Sequence, residues 1–220
     1  MKATILRAQA TTADGTLMTL HEHDGAFTIR IGGVELMSTR QHHSEERLAA
    51  LGCGQIRGTA ARVLIGGLGL GFTLRAALRV LPAAASVLVV ELMPAVIEWN
   101  LDPAYGLGGD ALRDSRVDVI AGDVAAVIGR SRREFDSIIL DIDNGASGLC
   151  AESNGRLYTQ AGLERARAAL RPGGCLAIWS AGDDPPFAER MRCSGFRVEV
   201  ERARTHPGGG SWNTLFVGRA

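Results

Sequence analysis

Residues 62–100 read RVLIGGLGLGFTLRAALRVLPAAASVLVVELMPAVIEWN, and this stretch settles what kind of fold the rest of the chain must build. The aliphatic, β-branched run at 63–65 has the character of a short strand buried on both faces. Gly66, Gly67, Gly69 and Gly71 follow it, an apolar helix is predicted over 72–81, and Pro82 stops that helix. A second buried strand, 87–90, ends on a lone acid, Glu91. A glycine turn between strand and helix lets bare backbone approach a ligand at the positive helix end. An acid at the tip of the neighbouring strand is the usual partner of two ribose hydroxyls. The combination reads as a nucleoside pocket.

Spacing narrows the nucleoside. The dinucleotide fingerprint G-x-G-x-x-G needs its third glycine five residues after the first. From Gly67 that position is Phe72 and from Gly69 it is Leu74, so a nicotinamide dehydrogenase is not expected. What stands instead is G-x-G-x-G at Gly67, Gly69 and Gly71, with Glu91 twenty residues beyond the last glycine. This spacing resembles motif I of S-adenosylmethionine-dependent transferases.

Length and charge set the bounds. A chain of 220 residues suits one α/β domain with a small appendage. Basic and acidic side chains balance at 24 each, and no basic block stands out, so neither nucleic acid nor an anionic membrane is the expected partner. The N-terminus lacks a signal-type apolar core, no run approaches membrane-spanning length, and a cytoplasmic location is expected. Cys53, Cys150, Cys175 and Cys193 are scattered without C-x-x-C, which suits reduced thiols better than disulfides or zinc. His21, His23, His42 and His43 have no metal-motif spacing, so no metal is expected. Lys2 is the only lysine, which argues against Schiff-base chemistry.

Along the chain, segments 17–22, 26–31 and 34–38 read as strands, the first two joined by Asp24-Gly25, a strong hairpin signal. The expected N-terminal unit, residues 1–43, is thus a three-strand β-meander, too small to be stable alone and expected to serve as a homodimer surface. Residues 44–220 form the second unit. Ser44 is positioned to cap a helix to 51, with Gly52 closing it. Pro94 suits the first turn of a helix, 101–116 reads as loop, and strands follow at 117–120, 135–140, 175–180, 196–202 and 213–217. Residues 146–157, rich in small side chains, read as a long lid-like loop. Strands alternating with helices imply a doubly wound, mostly parallel, Rossmann-like sheet of seven strands.

In such a sheet ligands bind beyond the carboxyl ends of the strands. Glu91, Asp123 and Asp141 each follow a strand there. Singly, each would serve as a helix cap. In register, Glu91 is assigned the ribose, Asp123 the adenine amino group, and Asp141 the meeting point of sulfonium and acceptor. Leu92 and Val124, which adjoin the first two acids, are grouped with the same nucleoside site.

Taken together, the N-terminal meander, motif I, VVELMPAVIEWN, GDV, the DIDNG turn, LYTQAGLERARAALRPGG and HPGGGSW resemble the spermidine synthase-like branch of S-adenosylmethionine-type transferases over nearly the whole chain. The resemblance implies the methyltransferase-type sheet and, as donor, S-adenosylmethionine or its decarboxylated form. It implies transfer of a methyl or aminopropyl group to a small-molecule acceptor, with Asp141 as the catalytic acid. The sequence departs from the pattern at several places. Leu70 stands where the glycine turn carries an aspartate, and Leu36 where the N-terminal motif carries glutamine. The polyamine-binding D-x-x-D-P is Asp141, Ile142, Asp143, Asn144 and Gly145. Ser44 and Glu45 replace a tyrosine and glutamine, and His206 a late tyrosine. Glu45, Asp143, Asn144, Tyr158 and His206 are therefore the candidate acceptor-binding residues, and putrescine is not the expected acceptor. The rival reading is a non-catalytic, degenerate member of the same fold that binds nucleoside or assembles through its meander.

Overall fold

In the computed structural model, which describes residues 3–142 and 155–220, the N-terminal segment is an antiparallel sheet of four strands in chain order. These are β1 (Ile5–Thr11), β2 (Leu17–His23), β3 (Ala26–Ile31) and β4 (Val34–Ser38). The sequence predicted three. The extra strand, β1, pairs with β2 from Ile5 against Glu22 to Thr11 against Leu17. Its outer position leaves it largely exposed, with no apolar alternation to announce it. Asp24 and Gly25 both take positive φ, 53° and 73°, the combination a two-residue hairpin turn needs. Met18, Leu20, Phe27 and Ile29 are buried and join the core of the larger sheet, so the small sheet leans on the main one through a single face.

The main sheet holds β5 (Arg62–Gly66), β6 (Ser86–Glu91), β7 (Val117–Ala121), β8 (Phe135–Leu140), β9 (Leu170–Ser180), β10 (Arg197–His206) and β11 (Gly209–Arg219). Their order is β7-β6-β5-β8-β9-β11-β10. The first five are parallel, and β11 runs antiparallel to both β9 and β10. This is the predicted seven-stranded, doubly wound arrangement. Along β5, Val63 and Ile65 enter one core layer and Leu64 the other, the period-two division of a strand covered on both faces. The first layer packs α1 (His43–Cys53), α2 (Phe72–Val80), α3 (Pro94–Leu101) and the short α4 (Gly109–Leu112). The second packs α5 (Val124–Arg130), α6 (Gln160–Ala169) and α7 (Pro185–Cys193), with Phe187 edge-on to Phe216 at 5.0 Å.

Several local expectations are corrected. Ser44 does not cap α1: His42 holds the N-cap position, and Ser44 lies inside the helix, fully buried. Gly52 is likewise inside the helix, where a Cβ would come within 2.9 Å of Ile139, so its lack of a side chain lets α1 sit tightly on the sheet. Residues 101–116 contain α4. β9 begins at Leu170, five residues before the strand expected at 175–180, and β10 and β11 run on into a long hairpin.

Candidate active site

The chain crosses from one half of the sheet to the other at β5 and β8. There the loops after adjacent parallel strands diverge and leave a crevice. The loop after β5 is the glycine turn. Gly67, Gly69 and Gly71 all have positive φ, at 89°, 52° and 79°. A Cβ on Gly67 would lie 2.1 Å from the Asp141 carbonyl oxygen, so no other residue fits there without moving β8. A Cβ on Gly69 would meet the Met37 sulfur at 2.8 Å, which shows how closely β4 roofs the loop. Asn100, buried at the end of α3, fixes the loop from below. Its Nδ2 donates to the Gly69 carbonyl and its Oδ1 accepts from Gly108 N–H. Asn100 was not singled out in the sequence, although a lone amide ending an apolar helix is the kind of signal that marks such a clamp.

Glu91 sits at the tip of β6 and is buried. One carboxylate oxygen accepts from Leu68 N–H at 2.8 Å and the other from Met93 N–H at 2.9 Å. Burial raises its pKa above the usual carboxylate value, against the opposing effect of these N–H donors. The backbone N–H groups of Gly69 and Leu92 add to these, so the residue ties the glycine turn to β6. Leu92 beside it is exposed, while Val124 is buried against Gly66.

Asp141, at the tip of β8, accepts a 2.5 Å hydrogen bond from Thr73 at the start of α2, and burial pushes its pKa up to about 6. Glu45, in the first turn of α1, lines the same cleft. Burial, reinforced by the charge of Asp141, pushes its pKa up to about 7. The Glu45 carboxylate accepts from the Ser44 hydroxyl at 2.5 Å. That hydroxyl in turn accepts from Trp179 Nε1 at 3.1 Å and Asn213 Nδ2 at 3.0 Å. Two fixed donors on the oxygen leave the hydroxyl proton directed at Glu45. Between the acids and the glycine turn the cleft is lined by Leu36, Met37, Leu68, Leu70, Phe72 and Trp179, around a cavity of about 60 Å³.

The structure thus brings together Gly69, Glu45 and Asp141 directly, with Gly67, Gly71 and Glu91 forming the adjoining turn. Asp123 lies further along the strand tips. One of its oxygens caps α5 by accepting from Ala125 N–H, and the other is ion-paired with Arg156. Tyr158 lies in the core, edge-on to Phe187, its hydroxyl donating to the Ile142 carbonyl rather than lining the cleft. His206 ends β10 opposite Gly209 and is not among the residues lining the cleft. Asp143 and Asn144, with most of the lid-like loop, lie outside the described residues. Among the described residues no group of three or more His, Cys, Asp or Glu is placed to hold a metal ion, and no helix is long and apolar enough to cross a membrane.

No family model matches the sequence, and no curated protein matches it. Solved structures do match. Spermidine synthase from Thermotoga maritima superposes with a TM-score of 0.77 at 18% identity, over 97% of this chain and 72% of that one. A spermidine synthase in complex with the transition-state analogue AdoDATO gives 0.75 at 18% identity, with the same 97% and 72% coverage. A probable spermidine synthase from Corynebacterium glutamicum gives 0.67 at 17% identity, over 100% of this chain and 81% of that one. The chain is spermidine synthase-like in fold, as its motifs implied.

Proposed function

We propose that the protein is an S-adenosylmethionine-type alkyltransferase that moves a methyl or aminopropyl group from S-adenosylmethionine, or its decarboxylated form, to a small amine. The observation that carries this reading is the placement of two carboxylates, Glu45 and Asp141, in one cleft against the glycine turn, with pKa values raised to about 7 and about 6. An amine must lose a proton to become a nucleophile. A carboxylate whose pKa is lifted toward neutrality is a better acceptor for that proton than an ordinary one, while still ionised often enough to act.

The residues present suit such a donor. The left-handed glycines keep the loop backbone bare, and the Glu91 carboxylate stands at the strand tip beside them as the ribose partner. Asp123 retains a lone pair on each oxygen beside its cap and ion pair, enough to accept from an adenine amino group. The transfer is a displacement at the carbon bonded to sulfonium. The amine lone pair forms the new C–N bond, the C–S pair leaves with sulfur as a neutral thioether, and the amine proton passes to Asp141 or Glu45. The chain contributes alignment, which is worth several orders of magnitude when the reacting atoms are held in line.

Calorimetric titration with methylthioadenosine, S-adenosylhomocysteine and NAD tests the nucleoside reading. The two sulfur nucleosides should bind and NAD should not. Tighter binding of methylthioadenosine favours aminopropyl transfer, and tighter binding of S-adenosylhomocysteine favours methyl transfer. Asp141→Asn should keep donor affinity and lower single-turnover transfer by about 10²-fold or more. Turnover within threefold of the parent would remove Asp141 from the mechanism. The N-terminal sheet also supports a homodimer surface, because it exposes Leu6, Leu17 and Val34. Light scattering at high micromolar concentration tests that, and a monomer overturns it.

A further inference from the structure

We infer that the outward face of the N-terminal sheet carries a second binding site, for a small phosphoryl oxyanion. Strand parity fixes which side chains build it. Met18 and Leu20 on β2 and Phe27 and Ile29 on β3 turn into the core. The alternate positions His21, His23, Thr28 and Arg30 therefore share the other face. The register agrees: His21 lies opposite Thr28, and across β3 Thr28 meets Ser38 and Arg30 meets Glu35. The chain leaving β4 folds back through a bridge between Ser38 and Gln41. This carries Arg40 over the end of β2, where its Nη2 donates to the His23 carbonyl at 3.3 Å. Together these residues surround a cavity of about 250 Å³, which shares Ser38 with the cleft at the glycine turn.

The donors in this cavity suit an anion. Arg30 and Arg40 each bring a permanently charged guanidinium, whose planar fork matches two oxygens of a phosphate. His21 and His23 add ring nitrogens, the first oriented by Thr19 Oγ1, 3.0 Å from its Nε2. Arg30 Nε and His23 Nδ1 are buried, and among the described residues neither meets a hydrogen-bond partner. A guanidinium N–H shut away from water and left unpaired is costly, and an oxyanion in the cavity supplies its acceptor. Glu35 lies exposed at the rim and works against an anion, but two arginines outweigh its charge. Donors arriving from β2, β3 and the turn after β4 enclose a tetrahedral group of three or more oxygens better than a planar carboxylate with two.

Calorimetric titration of the full chain near neutral pH with inorganic phosphate, glycerol phosphate and acetate tests the site. Constant ionic strength keeps screening the same in every arm. The phosphates should bind saturably and at least about tenfold more tightly than acetate. Whichever of the two binds more tightly identifies the source, a free phosphate ion or a small phosphate monoester. Arg30→Gln should weaken phosphate binding at least about tenfold, the worth of a charge-assisted hydrogen bond. Glu35→Gln should tighten it, and at an exposed rim position this variant keeps the fold even if Arg30→Gln does not. Failure of both phosphates to bind, acetate binding as tightly, or an affinity unchanged in either variant overturns the inference. Methylthioadenosine binding reports on the transferase cleft alone, so the two readings fail separately.

Discussion

Replacing Glu45 by glutamine should stabilise the protein at alkaline pH and leave its stability nearly unchanged in mild acid. The side chain lies in the cleft, and burial together with the charge of Asp141 moves its pKa from 4.5 to about 7. A carboxyl whose folded value lies above its unfolded one binds its proton more tightly in the native state. Ionising it therefore works against folding, and stability falls as pH rises between the two values. The penalty is absent below about pH 4, grows through the interval up to about 7, and is complete above that. Moving a carboxyl from 4.5 to about 7 corresponds to about 3 kcal/mol, from 1.36 kcal/mol for each tenfold change in proton affinity. Relaxation and water entry would trim this toward about 2 kcal/mol. Glutamine keeps the size of the side chain and an oxygen to accept from Ser44, while carrying no charge. Urea unfolding followed by tryptophan fluorescence from about pH 5 to 8.5 reads the effect as the difference between parent and variant. That difference should open steadily with pH and level off near 8. Parallel curves across the range would falsify the placement of Glu45 as a desolvated neighbour of Asp141.

Other perturbations reach other parts of the site. Gly67→Ala meets both a left-handed φ of 89° and a carbonyl oxygen 2.1 Å from the new Cβ, so it should cost more than about 2 kcal/mol and abolish nucleoside binding. A variant with parent stability and affinity would show that the turn is not held as described. Ser44→Ala removes the acceptor of Trp179 Nε1 and Asn213 Nδ2, leaving buried N–H groups unpaired, and should cost about 2–4 kcal/mol. Chemical denaturation measures the loss, and a cost below about 0.5 kcal/mol would mean those groups find other partners. Cys53 and Cys175 are buried, with pKa values pushed up to about 12 and about 11, whereas Cys193 is exposed. Brief labelling of native protein with a thiolate-selective reagent, followed by peptide mapping, should mark Cys193 and spare the other two. Rapid labelling of Cys53 would argue against the packing of α1 on β9.

What the sequence disclosed and what it hid divide along a physical line. Gly67, Gly69, Gly71, Glu91 and Asp141 were legible because each lies at a strand tip or in the turn that follows, and alternating buried strands and helices fix where those tips point. The same periodicity carried the seven-stranded sheet. It failed for β1, whose outer edge position asks for no alternation, and for Ser44, where a residue type favoured at caps was taken for one. In place, Ser44 is a buried junction fed by Trp179 and Asn213, which lie 135 and 169 positions away along the chain. No local pattern can announce that. The Thr73 bond to Asp141, across 68 positions, is hidden for the same reason.

Apart from Glu45 on α1, the residues proposed to bind and react lie at strand tips and in the loops that follow, where a sequence reader looks for them. Burial raises the proton affinities of Glu45 and Asp141 while the bonds from Ser44 and Thr73 lower them, and both effects come from whichever helix or strand the tertiary packing delivers. The chemical tuning of the site is therefore a property of the packed layers, α1 against β9 and β11 and α2 against β8, more than of any motif. The apolar wall of the cleft is assembled from β4, the glycine turn, α2 and β9. Side chains on this wall can then be exchanged while the frame that holds the glycine turn stays as it is.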